Sequence, residues 1–288
     1  MGKLDRQVII ITGASAGIGA ATARRLARAG GRVVLAARRR DRLDALQQEI
    51  EAAGGQALAV AADMTSAADR ERLVRETLAW GGRIDALVNN AGYGQRGPIE
   101  IVPIEKIRSN FETNLFSLIA LTQLVIPVMR RQQSGRIVNI SSVAGRIARP
   151  LSSVYDATKH ALEAISDGLR GELAPFGIKV VIIEPGFIIT EFLDAANQAS
   201  REELEQDSPY SPYFKQFSAG YQRIRKMAGT PDDIAELVEK ALVAENPRLR
   251  YAAPRHARVV IALKRFLPER LMDRFVMRQA GITPAKSK

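Results

Sequence analysis

The 288-residue sequence contains no cysteine and only two histidines, His160 and His256. Without thiols there is no disulfide, no cysteine nucleophile and no cysteine-built zinc or iron–sulfur site, and two histidines leave little for a histidine metal site. We therefore expect no bound metal. Hydrophobic residues make up 46% of the chain and charged residues 25%, which is the balance of an ordinary globular protein and excludes the disordered and disulfide-scaffold classes.

Long apolar runs are also missing. The most apolar stretch, 118–129, is interrupted by Thr122 and Gln123, and the apolar run near the start, 8–11, is too short for a signal segment. We expect no membrane-spanning segment and a cytoplasmic location.

The net charge of +11 is spread unevenly along the chain. Residues 248–288 contain eleven Lys and Arg against Glu269 and Asp273, so this segment carries +9 and the first 247 residues only +2. The basic character therefore belongs to a C-terminal appendage. No recognised nucleic-acid-binding module accompanies the charge, and we expect no nucleic-acid partner.

Apolar, β-branched runs alternate with helical patterns through most of the chain, which predicts βαβ units and a parallel sheet buried on both faces. The pattern favours an α/β, doubly wound fold with a seven-stranded parallel sheet flanked by helices and a helical C-terminal extension. The predicted strands lie near 7–12, 32–37, 56–61, 84–89, 135–141, 178–184 and 249–252.

A polar segment at 187–227 breaks this alternation. An insertion of that length after a core strand is more often a lid or binding loop than a simple connector. We therefore predict a catalytic domain over 1–257, with a substrate lid at about 187–227, followed by a basic amphipathic extension over 258–288.

A glycine-rich turn, 12–19, joins the first predicted strand to the first predicted helix. Gly13, Gly17 and Gly19 would allow a tight turn and a close approach to a pyrophosphate, and the helix N-terminus offers unpaired N–H groups. Tight packing alone explains such a turn equally well, so the motif needs support from the rest of the chain.

That support comes from further motifs, and with them the chain resembles the short-chain dehydrogenase/reductase family over about residues 7–190. The resemblance implies a Rossmann fold, hydride transfer between a nicotinamide cofactor and a substrate carbon, and a homodimer or homotetramer built on the helices that contain Asn114 and Tyr155. The motifs that follow the glycine turn in the family's order are Asp63, Asn89-Asn90-Ala91-Gly92, Asn114, Ser142, Tyr155-x-x-x-Lys159 and Pro185-Gly186.

Tyr155 and Lys159 carry the acid–base chemistry in this interpretation. Four residues apart, they lie one helical turn from each other on one face. A tyrosine with a pKa of about 10 is a poor acid or base near neutrality, and a nearby ammonium favours its phenolate. Tyr155 then becomes a proton donor to a carbonyl oxygen, or an acceptor from an alcohol.

The resemblance also gives roles to Ser142 and Asn114. Ser142 would hydrogen-bond the reacting oxygen, and Asn114 would hold a water that connects Lys159 to solvent. Ser141 competes with Ser142, and we prefer Ser142 because the family places its serine second in Ile-Ser-Ser. A lone histidine is usually a packing or surface residue, so His160 is given no role.

Cofactor preference depends on the end of the second strand, where an NAD-binding unit carries Asp or Glu. This chain has Ala37 followed by three arginines, which favours NADP(H), with Arg38 as the first candidate for the 2′-phosphate and Ser15 beside it. By resemblance, Asp63, Asn90 and Ala91 contact the adenosine side. The remaining predicted contacts are Ile18 in the glycine turn and, at the nicotinamide end, Pro185, Gly186, Ile188 and Thr190.

The extension resembles that of the steroid and retinol dehydrogenase branch, which implies a lipophilic ketone or aldehyde as the substrate. Two alternatives remain: a 3-oxoacyl-thioester reductase, and a catalytically idle nucleotide-binding regulatory or scaffold protein. The stretch 259–277 alternates apolar and basic residues in the manner of a basic amphipathic helix. Such a helix can lie on an anionic membrane, or its apolar side can pack on the lid or on a partner subunit.

Overall fold

Seven parallel strands form one sheet in the order β3-β2-β1-β4-β5-β6-β7. This computed structural model describes residues 2–205, 207–214, 228–279 and 282. The predicted parallel, doubly wound architecture is confirmed, and the strand bounds differ from the expected ones by two residues at most. The strands are β1 Val8–Thr12, β2 Arg32–Ala37, β3 Gln56–Ala61, β4 Ala86–Asn89, β5 Gly135–Ile140, β6 Ile178–Pro185 and β7 Arg250–Ala253.

The described helices lie mainly between successive strands, as βαβ units require. They are α1 Gly17–Arg28, α2 Arg40–Ala52, α3 Ala67–Gly81, α4 Ile104–Phe111, α5 Ser117–Gln132, α6 Ser153–Leu173, α7 Phe192–Ala199, α8 Arg201–Glu205, α9 Pro231–Val243, α10 Arg255–Phe266 and α11 Glu269–Gln279. A π-helical turn, Glu112–Phe116, joins α4 to α5, and short 3₁₀ turns cover Val143–Gly145 and Ala174–Phe176.

Two apolar clusters, one on each face of the sheet, form the core. Alternate residues of the same strand enter opposite clusters: Ile9 and Ile11 join α1, α2 and α9, whereas Val8 and Ile10 join α3 and α5. Since β1 and β2 are buried on both faces, most of each strand reads as a continuous apolar run.

The helical segment that runs from α4 through the π turn to α5 spans Ile104–Gln132. By length and composition it could cross a membrane, and 44% of its most apolar window is buried inside the protein. Leu121, Val125 and Met129 of this segment lie in the core under the sheet. We therefore interpret it as a core helix.

The C-terminal extension differs from the single amphipathic helix expected over 259–277. It forms two helices, α10 and α11, which are separated at Leu267 and Pro268. Leu267 is extended, with φ −81° and ψ 137°, because a residue that precedes proline avoids the helical region. The first helix begins at Arg255, inside the predicted catalytic domain, and the division of the chain at residue 257 stays a prediction.

The described part of the lid packs against the end of the chain. Tyr210, Tyr213 and Phe214 form a small apolar cluster with Leu151 and with Ile282 from the extension. Ile282 thus brings the extension into contact with the lid, which is one of the three arrangements that the sequence left open, beside a partner subunit and a membrane. The remaining lid residues, 206 and 215–227, lie outside the described residues.

Candidate active site

The predicted site residues converge at the carboxyl edge of the sheet. From β1 the chain adds β2 and β3 on one side and β4 to β7 on the other, so the strand order reverses between β1 and β4 and leaves a crevice at their carboxyl ends. The loops after β1 and β4 meet in this crevice. Asn90 donates its backbone N–H to Thr12 Oγ1 (2.9 Å) and its side-chain Nδ2–H to the Thr12 carbonyl (2.9 Å).

The glycines of the first turn allow this close approach. Gly13 has φ +66°, and a Cβ there would lie 2.8 Å from Asn90 Nδ2 and 3.0 Å from Ala91 Cα. A Cβ on Gly19 would lie 2.3 Å from the Gly13 carbonyl oxygen, so α1 packs directly on the turn. A side chain at either position would push the glycine turn away from the loop after β4 or from α1, and the shape of the crevice would be lost.

The N-terminus of α1 fits a pyrophosphate. Its N-cap residue, Ala16, has no side chain that can bond the first N–H groups, and the first turn contains no acidic residue. These donors and the positive end of the helix dipole are therefore available to an anion. Ile18 is half-buried and packs on the core beneath the turn. Gly17, at φ +53°, faces Thr190: a Cβ at Gly17 would lie 3.1 Å from Thr190 Cγ2.

Arg39 is the arginine that the structure places against Ser15. Its Nη2 donates to Ser15 Oγ (3.0 Å), and its Nη1 lies 3.2 Å from the Glu191 carboxylate. Arg38, the first candidate from sequence, is exposed and makes no hydrogen bond or ion pair with the described residues. Arg40 turns away and pairs with Asp44 on α2 (2.8 Å).

Glu191 pairs with two basic side chains of the β2–α2 region. Its Oε1 accepts from Arg42 Nη1 at 2.7 Å, which is shorter than its 3.2 Å contact with Arg39. Arg39 can therefore turn towards a phosphate while Glu191 keeps Arg42. Sequence reasoning included Arg39 among three arginines but ranked Arg38 first. It missed Glu191, which is 152 residues from Arg39 and shares no motif with it.

Asp63 lies in the loop after β3, two residues beyond the end of the strand. Its Oδ1 accepts from the backbone N–H of Thr65 (2.9 Å) and from Thr65 Oγ1–H (2.8 Å). These bonds hold the carboxylate in a fixed orientation and occupy one of its two oxygens. The other oxygen suits an amino group of the kind that adenine presents.

The acid–base pair lies on α6 beside the end of β5. Tyr155 is half-buried, and Lys159 Nζ lies 5.8 Å from the centre of its ring. Lys159 is 6% exposed and donates to the Ile140 carbonyl (2.8 Å). Burial lowers the pKa of Lys159 to about 8, and the nearby Glu163 carboxylate opposes part of this effect.

Ser142, not Ser141, faces the crevice. The Ser142 hydroxyl donates to the Pro185 carbonyl at 3.3 Å and accepts from the backbone N–H of Ala144 at 3.1 Å. The donated hydrogen bond is long and therefore weak, so breaking it costs little free energy when the hydroxyl turns to a substrate oxygen. Ser141 is 3% exposed, and its buried Oγ has no hydrogen-bond partner among the residues that the structure describes.

Asn114 lies in the π-helical turn and holds the loop after β4. Its Oδ1 accepts from the backbone N–H of Tyr93 (3.0 Å), and its Nδ2 donates to the Tyr93 carbonyl (2.9 Å) and to Thr158 Oγ1 (3.2 Å). The side chain therefore connects this loop to α6. Its expected part in holding a water stays a prediction.

The Pro185-Gly186 segment leads from β6 towards the lid and is supported by α10. The backbone N–H of Phe187 donates to His256 Nε2 (3.3 Å), and a Cβ on Gly186 would lie 2.7 Å from the same atom. Ile188 is buried in the core and pairs with Gly229 in a short bridge. Thr190 Oγ1 accepts from the N–H of Phe192 at the start of α7 (3.2 Å).

The first lid helix places apolar side chains beside Tyr155. The ring of Phe192 lies 5.5 Å from the Tyr155 ring at an interplanar angle of 59°. Gly94 packs so closely on this helix that a Cβ there would lie 3.0 Å from Ala196 Cβ. Phe192 was not a sequence candidate, since an aromatic residue in a polar insertion gives no local signal for a site.

A buried charged cluster lies behind Lys159. Arg250 Nε donates to Glu163 Oε2 (3.0 Å) and lies 3.7 Å from Glu184 Oε1, and Arg146 Nε lies 3.8 Å from the same oxygen. Glu184 is 3% exposed. Burial and the neighbouring Glu163 carboxylate raise the pKa of Glu184 to about 7.

This raised pKa predicts a pH dependence of stability. The folded protein holds the Glu184 proton up to about pH 7, whereas the unfolded chain releases it near its ordinary value of 4.5. The contribution to the free energy of unfolding is therefore fully present below 4.5 and is lost as the pH rises to about 7. The unchanged protein should lose this contribution between pH 5 and pH 8, whereas Glu184→Gln, which cannot ionise, should not. The free energy of unfolding of the variant should therefore rise relative to that of the unchanged protein by on the order of 1 kcal/mol over this range.

Urea unfolding at pH 5 and pH 8 measures this difference. Glu236→Gln is the control, because Lys240 lowers the pKa of that surface glutamate and its replacement brings no gain at pH 8. An equal stability difference for Glu184→Gln at both pH values would show that Glu184 is ionised throughout.

Comparison with known proteins agrees with this geometry. The family model described as short chain dehydrogenase matches residues 7–201, which contain the glycine turn, Ser142, Tyr155 and Lys159. The chain belongs to the short-chain dehydrogenase family. It is therefore an oxidoreductase on a Rossmann-type fold, as the motifs implied.

Two relatives of this short-chain dehydrogenase have names that state an activity. A 3-ketodihydrosphingosine reductase from Bacteroides thetaiotaomicron is 30% identical over 94% of this chain and 96% of its own length. An NADPH-dependent 3-dehydrocapnine reductase from Ornithobacterium rhinotracheale is 35% identical over 66% of this chain and 68% of its own length.

Solved structures of the family include different nicotinamide cofactors. A metagenomic short-chain oxidoreductase in complex with NADP is 30% identical and superposes with a TM-score of 0.70, over 87% of this chain and 98% of the other. A short-chain dehydrogenase from Burkholderia phymatum in complex with NAD gives a TM-score of 0.79 over 100% and 99% of the two chains. At 24% identity, the second likeness shows the fold alone.

Proposed function

We propose that this short-chain dehydrogenase reduces a lipophilic ketone to an alcohol with NADPH. The observation that carries the proposal is the arrangement of Ser142, Tyr155 and Lys159 beside a crevice with the Arg39–Ser15 pair at its adenosine side. NADPH would supply the hydride. All other steps fall to side chains of this chain.

The mechanism assigns one task to each of three side chains. Ser142 would turn its hydroxyl from the Pro185 carbonyl to the substrate oxygen and hold the carbonyl in place. Tyr155 would donate its phenolic proton to the same oxygen as negative charge develops there. The Lys159 ammonium would stabilise the resulting phenolate, in a buried position where charge interactions are stronger than in water.

The apolar lid supports a lipophilic substrate. Phe192 lies against Tyr155, and Ala196 is buried beside the loop after β4. Such surfaces stabilise a hydrocarbon chain and exclude water from the site. The two named relatives are reductases of 3-keto or 3-dehydro compounds, which favours a ketone over an aldehyde. Membership of the steroid and retinol dehydrogenase branch stays a prediction.

Oxidation of NADPH with candidate substrates tests the proposed reaction. The first probe is 3-ketodihydrosphingosine, and a 3-oxoacyl thioester represents the alternative reductase. Turnover of the thioester alone would favour the alternative. Absence of turnover with both, together with tight NADPH binding, would favour an idle nucleotide-binding protein.

Cofactor preference is predicted to depend on Arg39. Removing its guanidinium in Arg39→Ala would take one charge-assisted hydrogen bond from the 2′-phosphate, so we expect the Kd of NADPH to rise about 30-fold. NADH lacks this phosphate, and its Kd should not change. Titration of the fluorescence of Trp80 and the tyrosines with each cofactor gives both constants.

The neighbouring arginines provide matched controls for Arg39. Arg40→Ala removes the same charge from a side chain that pairs with Asp44, and it should leave both constants unchanged. Arg38→Ala tests the assignment from sequence. A larger effect at Arg38 than at Arg39 would restore that assignment, and tighter binding of NADH than NADPH by the unchanged protein would contradict the proposed preference.

The oligomer expected from the family is also a proposal. Phe116 is 52% exposed and Ile165 37% exposed, and they lie at the helical segments that carry Asn114 and Tyr155. In a monomer these apolar side chains would remain in water. A homodimer or homotetramer that covers them fits this surface, and light scattering of the purified protein gives its mass directly.

A further inference from the structure

Helix α10 has an apolar stripe that faces solvent. Val259, Ala262 and Phe266 are spaced three and four residues apart and therefore lie on one side of the helix. Val259 is 52% exposed and Phe266 79% exposed. We call these three residues the outer stripe. An exposed phenylalanine next to a second large apolar side chain is unusual for a surface that meets only water.

The outer stripe is not needed to hold the helix on the protein. The opposite side of α10 is anchored by Ala257, which is fully buried, and Met272 of α11 is 2% exposed. His256 also holds α10 to the Pro185-Gly186 segment through the Phe187 N–H. The helix thus has two apolar sides, of which the structure buries only the inner one.

Unpaired positive charge surrounds the outer stripe. Among the described residues, none of the lysine and arginine side chains of α10 and α11 forms an ion pair with a carboxylate, whereas Arg25 and Lys240 nearby do. By helical spacing, Arg255, Arg258 and Arg265 are the basic residues next to the stripe. The full set on both helices is Arg255, Arg258, Lys264, Arg265, Arg270, Arg274 and Arg278.

Part of this charge lines a cleft between α9, β7 and α10. The cleft has a volume of about 1050 Å³ and places Arg248, Arg258 and Arg265 near the apolar side chains Val243 and Phe266. The acidic side chains on its α9 wall, Glu236 and Glu239, are already paired with Lys240, Lys3 and Arg25. The cleft therefore presents guanidinium groups and hydrocarbon to the same ligand.

We propose that the outer stripe and its arginines bind the surface of an anionic lipid bilayer. Lipid phosphates match the guanidinium groups, and the acyl boundary would bury Val259 and Phe266. A nucleic acid would satisfy the charges but leave the apolar stripe in water. Helix α10 also holds the backbone N–H of Phe187, where the lid begins, through His256. The proposed bilayer contact and the support of the Pro185-Gly186 segment therefore lie on the same helix.

Sedimentation with vesicles tests the proposal on the full-length protein. Vesicles of phosphatidylserine and phosphatidylcholine should pellet the protein at low salt, and vesicles of phosphatidylcholine alone should not. Each basic residue near an anionic surface contributes about fivefold to binding, so Arg255→Gln/Arg265→Gln should weaken it about 25-fold. Phe266→Ser should weaken it about tenfold, because one buried aromatic ring is lost.

A second pair of substitutions tests whether binding depends on the arginines beside the outer stripe or only on the net positive charge of the protein. Arg75→Gln/Arg131→Gln removes two exposed charges from α3 and α5, and it should leave vesicle binding unchanged. Retained NADPH binding would show that every variant is folded. Equal losses in the two double variants, or sedimentation that is insensitive to Phe266→Ser, would overturn the proposal. Binding to an RNA or DNA fragment that does not depend on Phe266 would assign the charge to nucleic acid.

Discussion

Tyr155→Phe is expected to lower the rate of carbonyl reduction about 1000-fold while NADPH still binds. The substitution removes one hydroxyl and keeps the ring that packs on Phe192, so the lid and the fold should be preserved. What is lost is proton transfer to the substrate oxygen, and general acid catalysis contributes about 10²- to 10⁴-fold. Initial rates of NADPH oxidation and a cofactor titration measure the two quantities separately.

Tyr251→Phe is the matched control for this experiment. Tyr251 lies on β7, where its hydroxyl accepts from the backbone N–H of Arg248 (3.0 Å), away from Ser142 and Lys159. Removing its hydroxyl should leave turnover within about twofold of the unchanged protein. Unchanged turnover in Tyr155→Phe would refute the assignment of Tyr155 as the proton donor, and with it the mechanism proposed here.

Lys159→Met is expected to lower kcat about 100-fold and to remove a step from the pH profile. Burial holds the pKa of Lys159 at about 8, so in the unchanged protein the ammonium is charged near neutrality and loses its proton above pH 8. Reduction should therefore slow as the pH rises through about 8, because the phenolate of Tyr155 loses its stabilising charge.

Methionine has a similar length and carries no charge, so the fold should survive this substitution. Replacing a buried ammonium by an apolar side chain removes a desolvation cost. The rate of Lys159→Met should then be low and nearly independent of pH between 7 and 9. A profile that still falls at about pH 8 in the variant would mean that another group titrates. Lys179→Met, at a half-buried position on β6, should keep the normal profile.

Secondary structure was predictable because its signals are local. Strands β1 and β2 contain continuous apolar runs of four and five residues, and burial on both faces of a parallel sheet favours that pattern. The C-terminal extension was expected as one helix from the spacing of its apolar and basic residues alone. Pro268, a local signal that this expectation did not use, divides the segment into two helices.

The candidate site was predictable where a motif fixes a spacing. Tyr155 and Lys159 lie on one turn of α6, and Gly13 and Gly19 act within one loop, so short-range geometry is enough to relate them. Ser142 and Ser141 differ in their geometry. Successive residues after β5 point to opposite sides, and only Ser142 faces the crevice.

The sequence by itself determined the strands of the sheet, the glycine turn and the acid–base pair of this short-chain dehydrogenase, since a pattern of a few neighbouring residues indicates each of them. Only the tertiary structure decided which arginine meets Ser15, that Glu191 pairs with Arg39, and that Phe192 covers Tyr155. It also decided that Arg250 lies beside Glu163 and Glu184. These contacts join elements far apart along the chain, and their geometry depends on how the helices and loops pack on the sheet, which no local pattern encodes.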